Sequence, residues 1–242
     1  MRIALALCLA IVTWASPAQA ETATVRHALD GDSLVLTNGR QVRLIGINAP
    51  EIGVDGRPDQ PLARAAQRRL AEWVAGRSVT LRFDIEKTDR HGRALAYVTR
   101  ADGADVQAQL TREGLAWCVA IPPNTAHADV YCAAEREARA AKRGVWAEPS
   151  YQPAAAERLG PTDTGFRLVT GTIRRVGSSR HAIYLDLTSH FSVVIPRDVW
   201  TKFPPELRAA RGQALVARGW VTEYKNGLRL RIAHPAMLEI LR

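Results

Sequence analysis

The sequence predicts a mainly β fold that also contains helices, of the α+β class, in two successive small domains. Short segments rich in β-branched and aliphatic residues recur in both halves, separated by turn sequences such as Asn38-Gly39 and Asn226-Gly227. Stretches with the apolar spacing of a helix occur mainly in the first half. Residues 149–165 are rich in Pro, Ala, Ser, Thr and Gly without periodicity, which is typical of a linker. We therefore expect domains at 21–148 and 166–242.

Five strands and three helices are predicted for the first domain, as a curled sheet with helices outside. The helix at 62–74 has apolar residues at helical spacing, and Gly76 is placed to end it. The strands are predicted at 24–29, 33–36, 40–47, 78–85 and 94–99, and the other helices at 105–114 and 129–143.

The second domain is predicted to be a small OB-like β-barrel. Five strands with a helix or turn after the third is the order of an OB-type barrel, a fold that often binds oligonucleotides. The strands are predicted at 167–176, 182–187, 191–195, 214–222 and 228–232, with the helix or turn near 199–211.

Residues 1–20 have the organisation of a secretory signal peptide. Arg2 precedes a short apolar run, and Ala18-Gln19-Ala20 forms a small-x-small cleavage site before Glu21. A membrane anchor is the alternative, but the apolar run is too short to span a bilayer, and no other segment is long and apolar enough. We therefore expect a secreted or periplasmic protein with no membrane span.

Two cysteines, Cys118 and Cys132, remain after the predicted signal peptide. In an exported protein they are expected to form a disulfide, with two buried free thiols as the alternative. Zinc is not expected, because two cysteines with only His127 between them do not make a four-ligand site.

The positive charge of the chain is concentrated in the second domain. The whole chain has a net charge of +9; residues 21–150 contribute +1 and residues 166–242 contribute +8. This domain also carries the aromatics Tyr184, Phe191, Trp200, Trp220 and Tyr224. Basic residues interleaved with aromatics suit a groove for single strands of nucleic acid, in which bases stack and phosphates pair. The alternatives are a packed aromatic core with a solvated basic face, or an anchor to an anionic surface. The candidate nucleic-acid-binding residues are Arg90, Arg174, Arg175, Arg218, Lys225 and Arg229.

Three polar stretches of the first domain carry residue types that suit phosphodiester cleavage. They are the turn 30–33 with two aspartates, the strand and bend 42–51, and the turn 88–93. Cleavage builds negative charge on phosphorus, and the planar forks of Arg43 and Arg93 can neutralise it. Carboxylates can hold a hard cation or accept a proton from water. Each residue alone also has a purely structural reading; their joint order and spacing favours the chemistry.

These stretches resemble the staphylococcal nuclease (thermonuclease) family. The similarity covers about residues 24–148. It rests on Asp-Gly-Asp-Ser at 30–33, Val-Arg-Leu-Ile-Gly-Ile-Asn-Ala-Pro-Glu at 42–51 and Thr-Asp-Arg-His-Gly-Arg-Ala-Leu-Ala-Tyr at 88–97, with shorter matches at 113–117 and 142–146. The resemblance implies a five-stranded OB-type barrel with three helices, and a hydrolase that cleaves DNA and RNA with Ca²⁺.

The resemblance also implies a role for individual residues. Asp32 matches a calcium-binding aspartate, Arg43 and Arg93 match phosphate-binding arginines, Glu51 matches the general base, and Ala49 matches a calcium-binding backbone carbonyl. Asn48 stands where the family usually has a second calcium-binding aspartate. The tyrosines that stack on the nucleotide have no clear match in 119–123.

Two functions follow as hypotheses from this sequence. The first is an exported, calcium-dependent nuclease that acts on DNA or RNA as a monomer. The second is a non-catalytic nucleic-acid-binding protein whose metal site is impaired by Asn48. The sequence leaves open whether DNA or RNA is preferred and whether cleavage starts from chain ends.

Overall fold

The computed structural model describes residues 20–225 and 227–241. The predicted signal peptide, apart from Ala20, lies outside the described residues and stays a prediction, as does the predicted cellular location. Within the described ranges, no helix is long and apolar enough to cross a membrane.

The first half forms the predicted closed barrel with three helices. Its strands are β1 (Ala20–Ala28), β2 (Ser33–Leu36), β3 (Gln41–Leu44), β4 (Ile47–Asn48), β5 (Ser78–Thr88), β6 (Ala94–Arg100) and β7 (Trp117–Cys118), and its helices are α1 (Ala63–Val74), α2 (Val106–Arg112) and α3 (Ala128–Ala140). The barrel closes in the order β1-β2-β3-β6-β5, and only the β3–β6 pairing within it is parallel. Alternate side chains of these strands fill a shared core with α1, so the α+β fold class predicted from sequence is confirmed.

The chain bends after β3, and the short strand β4 that follows pairs with β7 in a two-stranded sheet. In it Ile47 pairs with Cys118, and Asn48 pairs with Trp117. Cys118 is disulfide-bonded to Cys132 on α3, with Cα atoms 5.1 Å apart, which confirms the predicted bridge. The disulfide therefore fastens α3 to the strand that is paired with Asn48.

The second half repeats the strand order of the first barrel. Its strands are β8 (Ala154–Ala155), β9 (Gly165–Thr172), β10 (Arg175–Ser178), β11 (Ala182–Asp186), β12 (Phe191–Pro196), β13 (Ala214–Tyr224), β14 (Gly227–Arg231) and β15 (Leu238–Leu241). The path runs β10-β11-β12-β14-β13-β9, again with a parallel pairing, between β12 and β14. Because β9 and β10 are separated only by residues 173–174, they act as one bent strand, and the order returns to its start as in an OB barrel.

Two 3₁₀ helices follow the third strand of this barrel, at Arg197–Lys202 and Pro205–Ala209. They occupy the position predicted for a helix or turn near 199–211. Phe203 and Leu207 bury their side chains in the second core, so the segment closes one end of the barrel.

The stretch 149–165 is part of the second sheet and not the simple linker that its composition predicts. Ala154–Ala155 pairs in parallel with β9, and Ala156 and Leu159 are buried in the second core. The alanine-rich sequence shows neither strand nor helix periodicity. Its small side chains nevertheless allow the segment to pack closely against the sheet. The division into domains at 148 and 166 stays a prediction.

Aromatic rings connect the two barrels. Trp117 of β7 contacts Phe166 of β9 at a centroid distance of 5.3 Å, and Phe166 contacts Trp220 of β13 at 5.1 Å. Tyr151 packs edge-on against Trp117 at 4.7 Å, and its hydroxyl donates to the Pro61 carbonyl. These contacts form the junction between the two barrels, and they begin at β7, the strand that pairs with Asn48.

A buried ion pair between Arg218 and Glu135 reinforces this junction. Arg218 also donates to the Cys118 carbonyl, and Glu135 accepts from the Cys118 N–H at 2.7 Å. The two side chains are only 13% and 3% exposed. The prediction that Arg218 binds nucleic acid does not fit this placement, because its guanidinium is committed to a carboxylate of the first barrel.

Removing one partner of this pair should destabilise the whole protein. Arg218→Met or Glu135→Gln leaves the other group buried with its charge or hydrogen-bonding capacity uncompensated, which costs about 3–5 kcal/mol when a buried pair is broken. The double variant should cost less than the sum of the two. Urea unfolding of the full chain measures all three free energies.

The exposed ion pair Arg139–Glu239, which also joins the two barrels, provides a matched control. Its loss through Arg139→Gln should cost less than about 1 kcal/mol, because solvent screens it. If Arg218→Met were as mild as Arg139→Gln, Arg218 would not be the structural contact described above.

Candidate active site

Four of the predicted site residues meet at one end of the first barrel. The β2–β3 register pairs Ser33 with Arg43, which places Asp32 beside the Arg43 side chain. The chain then bends through β4, so that Asn48 and Ala49 return to the same place. Strand pairing over short hairpins thus brings together residues that are up to 17 positions apart in sequence.

Asp32 is a nearly buried carboxylate held from several sides. Its Oδ2 accepts from the Ala49 N–H at 2.6 Å, while its Oδ1 accepts from the Ser33 hydroxyl at 3.2 Å and pairs with Arg43. Burial raises the pKa of Asp32 to about 7, although the Arg43 charge opposes the shift, and the nearby Asp30 carboxylate raises it further. The charged form of Asp32 is therefore incompletely compensated by Arg43, and a further cation would stabilise it.

Gly31 is required by the close approach of the chain behind Asp32. A Cβ atom at this position would lie 2.6 Å from the Cβ atoms of both Ala49 and Ala66. The turn 30–33 can therefore pack against α1 and against the bend at Ala49 only with glycine here.

Arg43 links the strand to the bend. Its Nη2 donates to the Asn48 side-chain oxygen at 3.2 Å and to the Ile47 carbonyl at 3.3 Å, and its Nη1 donates to the Asp32 carbonyl at 3.3 Å. These bonds hold the guanidinium at the mouth of the barrel, where its fork can meet a phosphate.

Glu51 lies in the loop after the bend, under the influence of both predicted phosphate-binding arginines. Gln60 fixes the loop through two hydrogen bonds, from the Glu51 N–H to its side chain at 2.8 Å and from its own N–H to the Glu51 carbonyl at 2.9 Å. Burial raises the pKa of Glu51 and the Asp30 charge adds to the shift, while Arg43 and Arg93 oppose it. The predicted base and both arginines therefore share one electrostatic site.

Arg93 is positioned by the turn 88–93. Its Nε donates to Asp89 Oδ2 at 2.7 Å, and its N–H donates to Asp89 Oδ1 at 3.0 Å. Arg93 and Arg43 line one cleft of about 280 Å³. The other side chains facing this cleft include Glu86, Asp89, Val119, Ile121, Asn124 and Trp220.

Trp220, one of the aromatics expected in a groove of the second domain, instead lines this cleft beside Arg43 and Arg93. It comes from β13 of the second barrel, and it is 40% exposed between the buried Gly219 and Val221. The sequence holds one indication of this placement. Trp220 is a large aromatic at an outward-facing position of a strand in which buried and exposed residues alternate. Its proximity to Arg43 depends on how the barrels dock, which no local pattern encodes.

Comparison with known proteins identifies the family. The model of the family described as "Staphylococcal nuclease homologue" matches residues 41–148. The chain is 33% identical over 129 residues to the thermonuclease of Staphylococcus intermedius, covering 52% of this chain and 76% of that protein. This chain belongs to the staphylococcal nuclease family.

Two further relatives align over similar lengths. Endonuclease YncB of Bacillus subtilis is 35% identical over 133 residues, which is 53% of this chain and 63% of that protein, slightly less than two thirds of its length. An uncharacterized endonuclease of Escherichia coli is 32% identical over 156 residues, which is 63% of this chain and 95% of that protein. The family model ends at 148, so all strands of the second barrel lie beyond it.

The donor atoms at the family site fit a hard cation that is held by few protein ligands. Asp32 and Asn48 offer side-chain oxygens, and the Ala49 carbonyl stays a predicted third donor. Among the described residues no group of three or more His, Cys, Asp or Glu side chains is arranged for a metal. An oxygen-only set of this size suits Ca²⁺, whose remaining positions can be taken by water.

The predicted nucleic-acid-binding residues of the second barrel, other than Arg218, lie together. Arg174, Arg175 and Arg229 line an open groove of about 610 Å³ with Tyr184. The Arg229 guanidinium lies 3.3 Å from the centre of the Tyr224 ring, and the Lys225 ammonium lies 5.6 Å from it. Phe191 is instead fully buried in the core, so the aromatics divide between core and surface. In the first barrel, Arg90 is exposed in the turn 88–93.

The buried Asp32 carboxylate should make the calcium-free protein lose stability as pH rises. Its pKa is about 7 in the folded protein against an ordinary value of 3.8, so between these values the folded state keeps a proton that the unfolded state releases. The loss develops between about pH 4 and 7 and amounts to at most about 4 kcal/mol.

We expect Asp32→Asn to remove this pH-dependent loss. Urea unfolding of both proteins in chelator at pH 5 and pH 8 measures it, because groups other than Asp32 titrate in both and cancel in the difference. The free energy of unfolding of the wild type should decrease from pH 5 to pH 8 relative to that of Asp32→Asn. If the free energies of unfolding of the two proteins changed by the same amount between the two pH values, the raised pKa assigned to Asp32 would be contradicted.

Proposed function

We propose that the protein is an exported, calcium-dependent nuclease that hydrolyses phosphodiester bonds of DNA or RNA. The observation that carries the proposal is that Glu51 interacts electrostatically with both Arg43 and Arg93, the two arginines that line one cleft. Membership of the staphylococcal nuclease family and the names of its thermonuclease and endonuclease relatives support the reaction class. The Cys118–Cys132 disulfide supports export, since such bonds persist in oxidising compartments.

The arginines bind and stabilise the reacting phosphate. Attack by water adds negative charge to a five-coordinate phosphorus, and preorganised guanidinium groups are worth most where such charge develops. Arg43 is held by the oxygens around Asp32, and Arg93 is held by Asp89. Both therefore present fixed positive charge to the cleft before substrate arrives.

Glu51 accepts the proton of the attacking water. A carboxylate with a raised pKa is a stronger base near neutral pH than an ordinary one, and burial gives Glu51 that property. Gln60 fixes the backbone of Glu51 on both sides, so the carboxylate is oriented by the loop.

Calcium would be held by Asp32, Asn48 and the Ala49 carbonyl. When bound, the cation polarises a phosphate oxygen and offsets its charge. Asp32 is the only one of these donors with a formal charge. Asp32 Oδ1 and the Asn48 side-chain oxygen both contact Arg43, so a divalent cation would compete with its single positive charge for these two oxygens.

The groove of the second barrel holds the strand beyond the cleft. Arg174, Arg175 and Arg229 supply phosphate contacts, and Tyr184 and Tyr224 supply rings. Binding through such contacts releases counterions and weakens with salt. This role explains why the excess positive charge lies outside the catalytic barrel.

Substitution of the three proposed catalytic residues should abolish most of the activity. Arg43→Ala, Arg93→Ala and Glu51→Gln should each lower kcat by about 10²–10³, the loss typical of one preorganised contact to a transition state. Arg26→Ala provides the control, because Arg26 is an exposed arginine of β1 that donates to the Thr37 carbonyl and does not line the cleft. Cleavage of a labelled oligonucleotide at saturating calcium measures the rates; near-normal rates in all three variants would refute the assignment.

Asn48 should set the calcium requirement. Asn48→Asp adds a negative charge to the donor set, and attraction to the cation should lower the calcium concentration needed by roughly tenfold or more. The saturated rate should change little. Calorimetric titration of calcium measures affinity directly, and activity against calcium concentration measures the requirement.

Two other results would change the interpretation. Coincident calcium curves for wild type and Asn48→Asp would mean that position 48 is not a metal ligand. A wild type that is inactive at every calcium concentration, with cleavage appearing in Asn48→Asp, would favour the nucleic-acid-binding protein over the enzyme.

A further inference from the structure

We propose that Trp220 of the second barrel is a base-stacking residue of the catalytic cleft. This inference rests on the proposed nuclease function and adds to it a specificity residue that lies outside the part of the chain matched by the family. It makes the second barrel part of the active site, beyond its role as a separate binding surface.

The position of Trp220 in the cleft is the first observation. Its indole lines the same cleft as Arg43 and Arg93, which the proposed reaction assigns to phosphate. Val119 and Ile121 give this wall two further apolar side chains, and Ile121 is half exposed. One side of the cleft therefore suits phosphate oxygens and another suits a flat apolar ring, which together match a nucleotide.

The exposure of Trp220 is the second observation. It occupies the outward phase of β13, where 40% of the residue is accessible while Gly219 and Val221 beside it are buried. Trp side chains are highly buried on average in folded proteins, so an exposure of 40% leaves a substantial accessible part of the indole. An accessible indole at the edge of a charged cleft is therefore suited to a ligand with its own aromatic face.

The fixed orientation of Trp220 is the third observation. Phe166, its register partner on β9, contacts the indole at 5.1 Å with an angle of 66° between the rings. Phe166 in turn packs on Trp117, the strand partner of Asn48. The chain of rings thus ties the indole to the strand pair that carries the catalytic bend, which limits its motion relative to Arg43.

Stacking on Trp220 should require a base without selecting which base. Every nucleobase has an aromatic face, and stacking of one base on an aromatic side chain changes affinity by about five- to 150-fold on alanine substitution. A substrate position that lacks its base should gain nothing from the indole.

The test combines a protein change with a substrate change. Single-stranded oligonucleotides carry one cleavable phosphodiester, with either a normal nucleotide or an abasic one next to it, and both the 5′ and 3′ positions are examined. Wild type, Trp220→Ala and Trp220→Phe are compared in the full chain for kcat, KM and equilibrium binding. Val130→Ala is the control, because Val130 is an exposed apolar side chain on α3 that does not line the cleft.

Trp220→Ala should raise KM about five- to 150-fold on the substrate with a base at one of the two positions, and change it little on the matching abasic substrate. Trp220→Phe should restore most of the loss, since it keeps an aromatic face. Equal losses on the two substrates would make Trp220 a structural contact only, and no loss on either would remove it from the site; both would overturn the proposal.

Failure of this proposal is distinguishable from failure of the nuclease function. If the wild type cleaves but the two substrates respond alike to Trp220→Ala, only the stacking role is lost. If the wild type does not cleave at all, the nuclease proposal fails, and the binding comparison with the same two oligonucleotides still decides whether Trp220 contacts a base.

Discussion

The buried carboxylate of Asp32 is the constraint on which the geometry of the catalytic barrel depends. A carboxylate with almost no solvent must be satisfied by protein donors, and Arg43, Ser33 and the Ala49 N–H supply them. These contacts fix the bend after β3, and the bend determines where Glu51 emerges. The same desolvation that raises the pKa of Asp32 leaves a demand for positive charge, which Arg43 meets only in part. The bend of the catalytic barrel and the proposed cation binding therefore both depend on the Asp32 carboxylate.

The junction between the barrels extends this site into the second half of the chain. Arg218 and Trp220 are two residues apart on β13, so both side chains point to the same side of the strand, toward the first barrel. Arg218 engages Glu135 beneath the disulfide, while Trp220 reaches the cleft. A rigid junction is what allows a residue of one barrel to take part in the chemistry of the other, because small displacements weaken a preorganised site.

The parts of this fold that depend on local sequence signals could be predicted, whereas the contacts between segments far apart in sequence could not. Asn38-Gly39, Gly76 and the apolar spacing of 62–74 are local signals, and the turns, α1 and most predicted strands agree with them. The strand predicted at 40–47 ends at Leu44, the strand predicted at 167–176 is split into β9 and β10, and β4, β7, β8 and β15 were not predicted. The grouping of Asp32, Arg43 and Asn48 also followed, since short hairpins bring them together. The roles of Arg218 and Trp220, and the pairing of Ala154–Ala155 with β9, depend on contacts between surfaces far apart in sequence. No local pattern specifies such contacts.

A structure of the protein with calcium and a short single-stranded oligonucleotide, its scissile linkage made resistant to cleavage, tests the central claim most directly. We expect calcium on Asp32 and the bend at 48–49, the resistant phosphate against Arg43 and Arg93 near Glu51, and one base on the Trp220 ring. A strand that crosses only the groove of Arg174, Arg175 and Arg229, with Arg43 still paired to Asp32 and no phosphate in the cleft, would contradict it.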